Sequence, residues 1–145
     1  MINVQLLYDK KETMNFDDEW LNSICNNILR DKNQITATIS IILSNDDKLL
    51  QLKKHFFKKD MLTDVITFNL EENGDPIEGE IYISLNRVSE NAMEYKQDPD
   101  RELKRVIIHG VLHLLDYDDQ TSEGKKTMTR LEDHYLSQPV ISDQI

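Results

Sequence analysis

Apolar positions recur along this chain with two different periods, and each change of period marks an element. In residues 3–8, Val4, Leu6 and Tyr8 alternate with Asn3, Gln5 and Leu7, which predicts a strand. In residues 17–32, Trp20, Leu21, Ile24, Cys25, Ile28 and Leu29 return every three or four positions, the pattern of a helix with one buried face. Asp17 or Asp18 can cap it. The β-branched run at 37–43 predicts a buried strand. Ser44 or Asn45 then caps a second helix, with Leu49, Leu50, Leu52 and Phe56 as its apolar contacts. Residues 63–70 predict a third strand, 71–76 a turn by their chemistry, and 78–85 a fourth strand. The remainder is predicted helical, over 88–96, 100–115 and 122–136, with Thr121 or Ser122 capping the last helix. The polar tail from Gln138 is expected to fray.

Strand–helix–strand–helix–strand implies right-handed crossovers and three parallel strands. The turn Asn73-Gly74-Asp75-Pro76 then sends the fourth strand back, antiparallel to the third. The expected fold is α+β: a mixed four-stranded sheet, three strands parallel and one antiparallel, with packed helices and a helical C-terminal half. No internal repeat and no linker rich in Gly, Pro or Ser divides the chain, so residues 1–145 are expected to form one domain.

Composition narrows the class. With 39% hydrophobic and 30% charged residues, the 145-residue chain suits a soluble globular protein with a core of its own. No apolar run approaches the ~20 residues of a membrane span. The N-terminal stretch lacks the basic start and long apolar core of a signal peptide. Cys25, the only cysteine, can form no internal disulfide and reads as a buried structural thiol. A cytoplasmic location without membrane contact is expected. The net charge of -10 means that any nucleic-acid contact must be a local basic patch on an acidic protein. The densest such cluster is Lys53, Lys54, Lys58 and Lys59 with His55, although lysines at a helix end also complement its dipole. Arg87, after the fourth strand, is another candidate phosphate contact.

The chemistry concentrates in residues 105–119. His109 and His113, two of the four histidines, are four residues apart, which places both on one helix face about a turn apart. The helix around them is apolar nearly all the way round, through Val106, Ile107, Ile108, Val111, Leu112, Leu114 and Leu115, and so belongs in the core. Histidine pairs at this spacing occur on many helices without a metal. Here burial of two imidazoles is costly unless each has a partner, and a metal ion would be one. Gly110 sits inside the helix, where it costs about 1 kcal/mol relative to Ala and lets something approach the backbone beside His109. The apolar run stops at Asp116, and Asp118 and Asp119 follow as hard oxygen donors. Two helical histidines plus one ligand beyond a turn is the layout of a catalytic zinc site whose fourth position is left to water. The glutamate that follows the first histidine in zincin proteases is replaced by Gly110. His134 stands alone on the last helix and reads as a surface residue.

His109-Gly-Val-Leu-His113-Leu-Leu-Asp116-Tyr117-Asp118-Asp119 resembles the signature of the YbeY family, His-Gly-x-Leu-His-Leu-x-Gly-Tyr-Asp-His. Thr63-Asp64-Val65-Ile66-Thr67-Phe68 and Gly79-Glu80-Ile81-Tyr82-Ile83-Ser84 resemble two further stretches of that family, in the same order. Their apolar residues, Val65, Ile66, Phe68, Ile81 and Ile83, are expected in the core; Asp64, Thr67 and Ser84 are the ones that could face a cleft.

The resemblance implies a zincin-like α+β fold and a metal-dependent, single-strand-specific endoribonuclease. It implies a role in rRNA maturation at the 16S 3′ end and in ribosome quality control, with precursor rRNA and the small ribosomal subunit with its proteins as partners. It implies one zinc ion per chain, held and used in catalysis by His109, His113 and Asp119; with RNA as the substrate, the basic residues Lys53, Lys54, Lys58, Lys59 and Arg87 are the candidate RNA contacts. Three departures stand out. Asp116 replaces a glycine, Asp119 replaces the third metal-binding histidine, and Phe57 stands where the family has an arginine. Phe56 and Phe57 could stack bases, although core packing is expected for at least one of them. Two rival readings are a zincin-like metallopeptidase and a non-catalytic ribosome assembly factor with a structural metal.

Overall fold

A computed structural model of the chain describes residues 1–8 and 18–139. In chain order its elements are β1 (Ile2–Tyr8), α1 (Asp18–Asp31), β2 (Ala37–Ser44), α2 (Asp46–Phe57), β3 (Val65–Asn69), β4 (Ile77–Ser84), α3 (Leu85–Glu94), α4 (Pro99–Leu114) and α5 (Ser122–Leu136). Asp17, a candidate cap, and the tail beyond 139 lie outside the described residues.

The sheet is mixed and four-stranded, in the order β1-β2-β4-β3. Three strands are parallel and one is antiparallel, as expected, but the odd strand is β3 rather than β4. β4 runs parallel to β2 from Ala37↔Ile77 to Ser44↔Ser84, and β3 pairs antiparallel with β4. The physical reason lies in the path after α2. Lys58 takes a left-handed conformation (φ 55°) and ends the helix, and residues 58–64 carry the chain to the sheet edge, where it enters in reverse. β4 then returns between β2 and β3. That central place suits its apolar residues: Ile81 and Ile83 are fully buried.

Caps set the helix boundaries. Asn45 accepts the Lys48 amide at the start of α2, Asp98 accepts that of Arg101 before α4, and Thr121 accepts that of Gly124 in α5. Ser84 both ends β4 and caps α3 by accepting the Arg87 amide, so α3 starts at Leu85, three residues earlier than its periodicity suggests. Pro99, at the first helical position of α4, is favourable there because it has no amide to leave unpaired.

The core cluster joins the inner face of the sheet (Ile39, Ile41, Leu43, Ile81, Ile83) to α1 and to α4 (Val106, Ile107, Val111, Leu114). Cys25 is inside it, with its thiol pushed up to about 12 by burial, an unreactive structural position. Two glycines let α4 lie directly on β4. A Cβ on Gly110 would come within 2.7 Å of Ile81 Cγ2, and one on Gly79 within 2.6 Å of Leu114 Cδ2. The neighbour that approaches the backbone beside His109 is therefore the Ile81 side chain. Asn69 at the end of β3 adds a hydrogen bond to the Leu114 carbonyl (3.0 Å). Together these contacts hold the last turns of α4 in place on the sheet.

Candidate metal centre

His109 and His113 lie on the flank of α4 and are half-buried, each with about a quarter of its side chain exposed. The helix then stops. The Asp116 amide donates to the His113 carbonyl and the Tyr117 amide to that of Leu112, with Asp116 itself left-handed at φ 70°. This pattern of bonds closes a helix on a left-handed residue, a conformation Asp tolerates better than most side chains. The chain turns back, and the Asp118 carboxylate accepts the Gln120 amide (2.8 Å) to tighten the loop. Asp119 is thereby presented to the histidines.

Three donor atoms converge. The Nε2 atoms of His109 and His113 are 2.9 Å apart, and Asp119 Oδ2 is 3.4 Å from the first and 3.6 Å from the second. All three lie within 4.8 Å of one another, the spread expected of atoms sharing one ion. The ring atoms facing away from this point are occupied. His109 Nδ1 is 2.7 Å from Glu132 Oε2, and His113 Nδ1 is 2.9 Å from the Tyr117 carbonyl. Both partners are acceptors, so each neutral ring carries its proton on Nδ1 and turns the Nε2 lone pair toward the shared point. The donor set fits a divalent cation such as zinc.

The local charge supports the same fit. Burial opposes a charged His109, but the hydrogen bond and charge of Glu132, with Asp119 and Asp64 adding to them, outweigh it and raise the ring above its ordinary value. Burial pushes the Asp64 carboxyl up, against the pull of His109 and of backbone amides. Glu132 is nearly buried and also accepts Arg105 Nη1 at 3.0 Å, while Arg105 Nη2 reaches Asp133 at 3.0 Å.

The three donors open into a cleft of about 360 Å³, also lined by Lys53, Phe57, Asp64 and Thr67. Of the candidate RNA contacts, only Lys53 lines it. Lys54 is exposed and 3.7 Å from Asp60, and the Lys58 ammonium turns back to the His55 carbonyl. Lys59 is exposed beyond the end of α2. Arg87 is held by Asp46 (3.0 Å) and Glu90 (3.1 Å). Ser84 is buried and bonded to Asp46, outside the cleft. His134 is exposed.

A family model described as Endoribonuclease YbeY matches residues 6–139. The chain belongs to the YbeY family. Among its relatives, Endoribonuclease YbeY of Amoebophilus asiaticus is 42% identical over 110 residues, 76% of this chain and 75% of that protein. The Flavobacterium psychrophilum protein of the same description is 36% identical over 134 residues, 92% of this chain and 91% of its own. A solution structure of a Thermotoga maritima protein superposes with a TM-score of 0.59 at 31% identity, covering 94% of this chain and 87% of that one.

Within this YbeY chain, the residue of the candidate centre that motif reading misses is Glu132, which contacts His109. It lies 13 positions beyond the histidine motif, and its signal is a misplaced charge: on α5 the buried positions are Met128, Glu132 and Tyr135, so a carboxylate occupies the apolar stripe. Such a residue needs partners, and Arg105 and His109 are those partners. Phe56 and Phe57, expected to include at least one core residue, are both substantially exposed (57% and 42%). α2 buries only Leu49 fully, because its C-terminal turn overhangs the cleft beside β3.

Proposed function

We propose that this protein is a metal-dependent endoribonuclease that hydrolyses phosphodiester bonds in single-stranded RNA. His109, His113 and Asp119 would hold one zinc ion in an open cleft. The observation that carries this reading is the convergence of two Nε2 atoms and one carboxylate oxygen at the floor of a cleft wide enough for a substrate. A divalent ion bound there supplies Lewis acidity toward a phosphoryl oxygen and acidifies nearby water.

The chain's own residues do the rest. Glu132 and the Tyr117 carbonyl fix both imidazoles in the ligating tautomer. The break at Asp116 brings Asp119 back toward the histidines, where a continued helix would carry it away. Lys53 supplies positive charge at the cleft wall, and Lys54, Lys58 and Lys59 are exposed further along the end of α2.

Membership of a family described as endoribonuclease supports RNA as the substrate, and the resemblance of the histidine motif points to precursor rRNA of the small ribosomal subunit as the RNA. On this reading the protein works in the cytoplasm, at 16S 3′-end maturation and ribosome quality control. Among the described residues no helix is long and apolar enough to cross a membrane. The test is cleavage of a single-stranded RNA by purified protein, with casein as the parallel substrate. RNA is cut, a chelator stops the reaction and added zinc restores it. Cleavage of casein but not RNA would replace the reading with a peptidase; no cleavage of either would leave a structural metal.

A further inference from the structure

An exposed phenyl ring at the wall of a polar cleft needs a reason, since apolar area there is left in water. Phe57 is such a ring. It lies near the end of α2, 42% exposed, and lines the same cleft as His109, His113 and Asp119. Its orientation is fixed from behind: it stacks on Phe68 of β3, with ring centres 6.0 Å apart and planes 30° apart. Lys53, one turn earlier on α2, places its ammonium over the Phe57 ring, 4.9 Å from its centre. Among the described residues Lys53 pairs with no carboxylate, and it is the sole lysine or arginine that lines the cleft. The Lys53 ammonium, bound to no carboxylate, therefore covers a pre-oriented aromatic face in the same cavity as the metal-ligating triad, and a phosphate that draws it off the ring bares that face.

That pairing matches the two halves of one nucleotide. A base offers a π-face to stack, and its phosphate offers negative charge. We propose that Lys53 and Phe57 form a nucleotide subsite in which Phe57 stacks the base next to the scissile phosphate and Lys53 meets the phosphate of that nucleotide. Stacking needs a base that is free of its helix, so this subsite is what makes the cleft prefer unpaired RNA. The inference rests on the endoribonuclease reading and names the substrate contact of that same cleft.

The experiment compares kcat/KM of the full-length, zinc-loaded protein on a short unstructured RNA and on the same RNA with an abasic ribose on either side of its mapped cleavage point. Phe57→Ala should lower kcat/KM roughly tenfold or more on the intact RNA, in line with the loss of one stacked base. Phe57→Trp should keep wild-type efficiency. On the abasic RNA, wild type should fall to the level of Phe57→Ala and the two should then be equal. Lys53→Met should reduce the salt dependence of RNA binding by about one unit of slope. Equal cutting of intact RNA by wild type and Phe57→Ala would overturn the subsite and leave the aromatic surface to a protein partner. An undiminished Phe57→Ala deficit on both abasic RNAs would overturn it too, by showing a structural effect. If wild type cuts no RNA, the endoribonuclease reading itself falls, and the subsite falls with it.

Discussion

Replacing Glu132 by Gln tests whether the centre depends on a residue that is not itself a ligand. The wild-type carboxylate accepts two charge-assisted or polar hydrogen bonds, from His109 Nδ1 at 2.7 Å and from Arg105 Nη1 at 3.0 Å, with only 10% of its side chain exposed. Gln has one acceptor oxygen and one amide donor in the same volume. Its oxygen can serve either the imidazole or the guanidinium, and its NH₂ must then face the other donor. Arg105 keeps Asp133, so the penalty falls mainly on the His109 side. Loss of a partner behind a ligating imidazole typically reduces metal affinity by roughly 10- to 100-fold, or about 1.4–2.8 kcal/mol at 1.4 kcal/mol per decade. The stability of the metal-free fold should fall by about 1.5–3 kcal/mol, the size of one lost charged hydrogen bond. Competitive zinc titration against a fluorescent chelator reads the first quantity, and urea unfolding of metal-free protein reads the second. His109 in the metal-free variant should also titrate at lower pH by NMR, because the charge that raises it is gone. A zinc affinity within threefold of wild type, with His109 titration unmoved, would refute the role given to Glu132.

Asp119→Ala should lose both metal affinity and RNA cleavage. Asp119→His should keep the metal and move the activity–pH profile to lower pH, since a neutral imidazole leaves more positive charge on the ion than a carboxylate does; unchanged activity in Asp119→Ala would place the third ligand elsewhere. Gly110→Ala gains about 1 kcal/mol of helix propensity but pushes a methyl against the buried Ile81, at roughly 1–3 kcal/mol for overpacking, so thermal unfolding should show net loss or no gain, with weaker zinc binding as α4 lifts beside His109. Burial opposes ionisation of Asp46, yet hydrogen bonds from Arg87 and Ser84 and the Arg87 charge hold its carboxyl below the ordinary range. Its contribution is therefore present above the unfolded carboxylate pKa of about 3.9 and lost as pH falls through the lower folded value. Arg87→Gln should raise the pH midpoint of acid unfolding, and an unmoved midpoint would show that this pair adds nothing.

The elements were legible wherever one physical cause dominates. The three- and four-residue apolar spacing of α1, and the apolar run from Val106 to Leu115 interrupted only by His109, Gly110 and His113, can be satisfied only by helices with buried faces. The end of α4 was legible from the polar run that begins at Asp116. Strand direction was not, because Val65, Ile66 and Phe68 read alike in a parallel or an antiparallel strand. What decides is the path of residues 58–64, which carry no periodic pattern. The site divides in the same way. His109, His113 and Asp119 form a local motif, read from spacing and resemblance, and the fold sets their atoms close together. Glu132 reaches His109 only through the packing of α5 on α4, and no spacing along the chain records that contact. Lysines 54, 58 and 59 look equivalent to Lys53 in sequence, but only Lys53 lines the cleft.

The central claim is that α4 and the loop beyond it form a metal centre, and metal content per chain tests it most directly. Elemental analysis of the purified protein beside His109→Ala and His113→Ala, all refolded in equal zinc and dialysed, should find one divalent ion per wild-type chain and well below one in each variant. Full stoichiometric zinc in both variants, or none in the wild type, would contradict it.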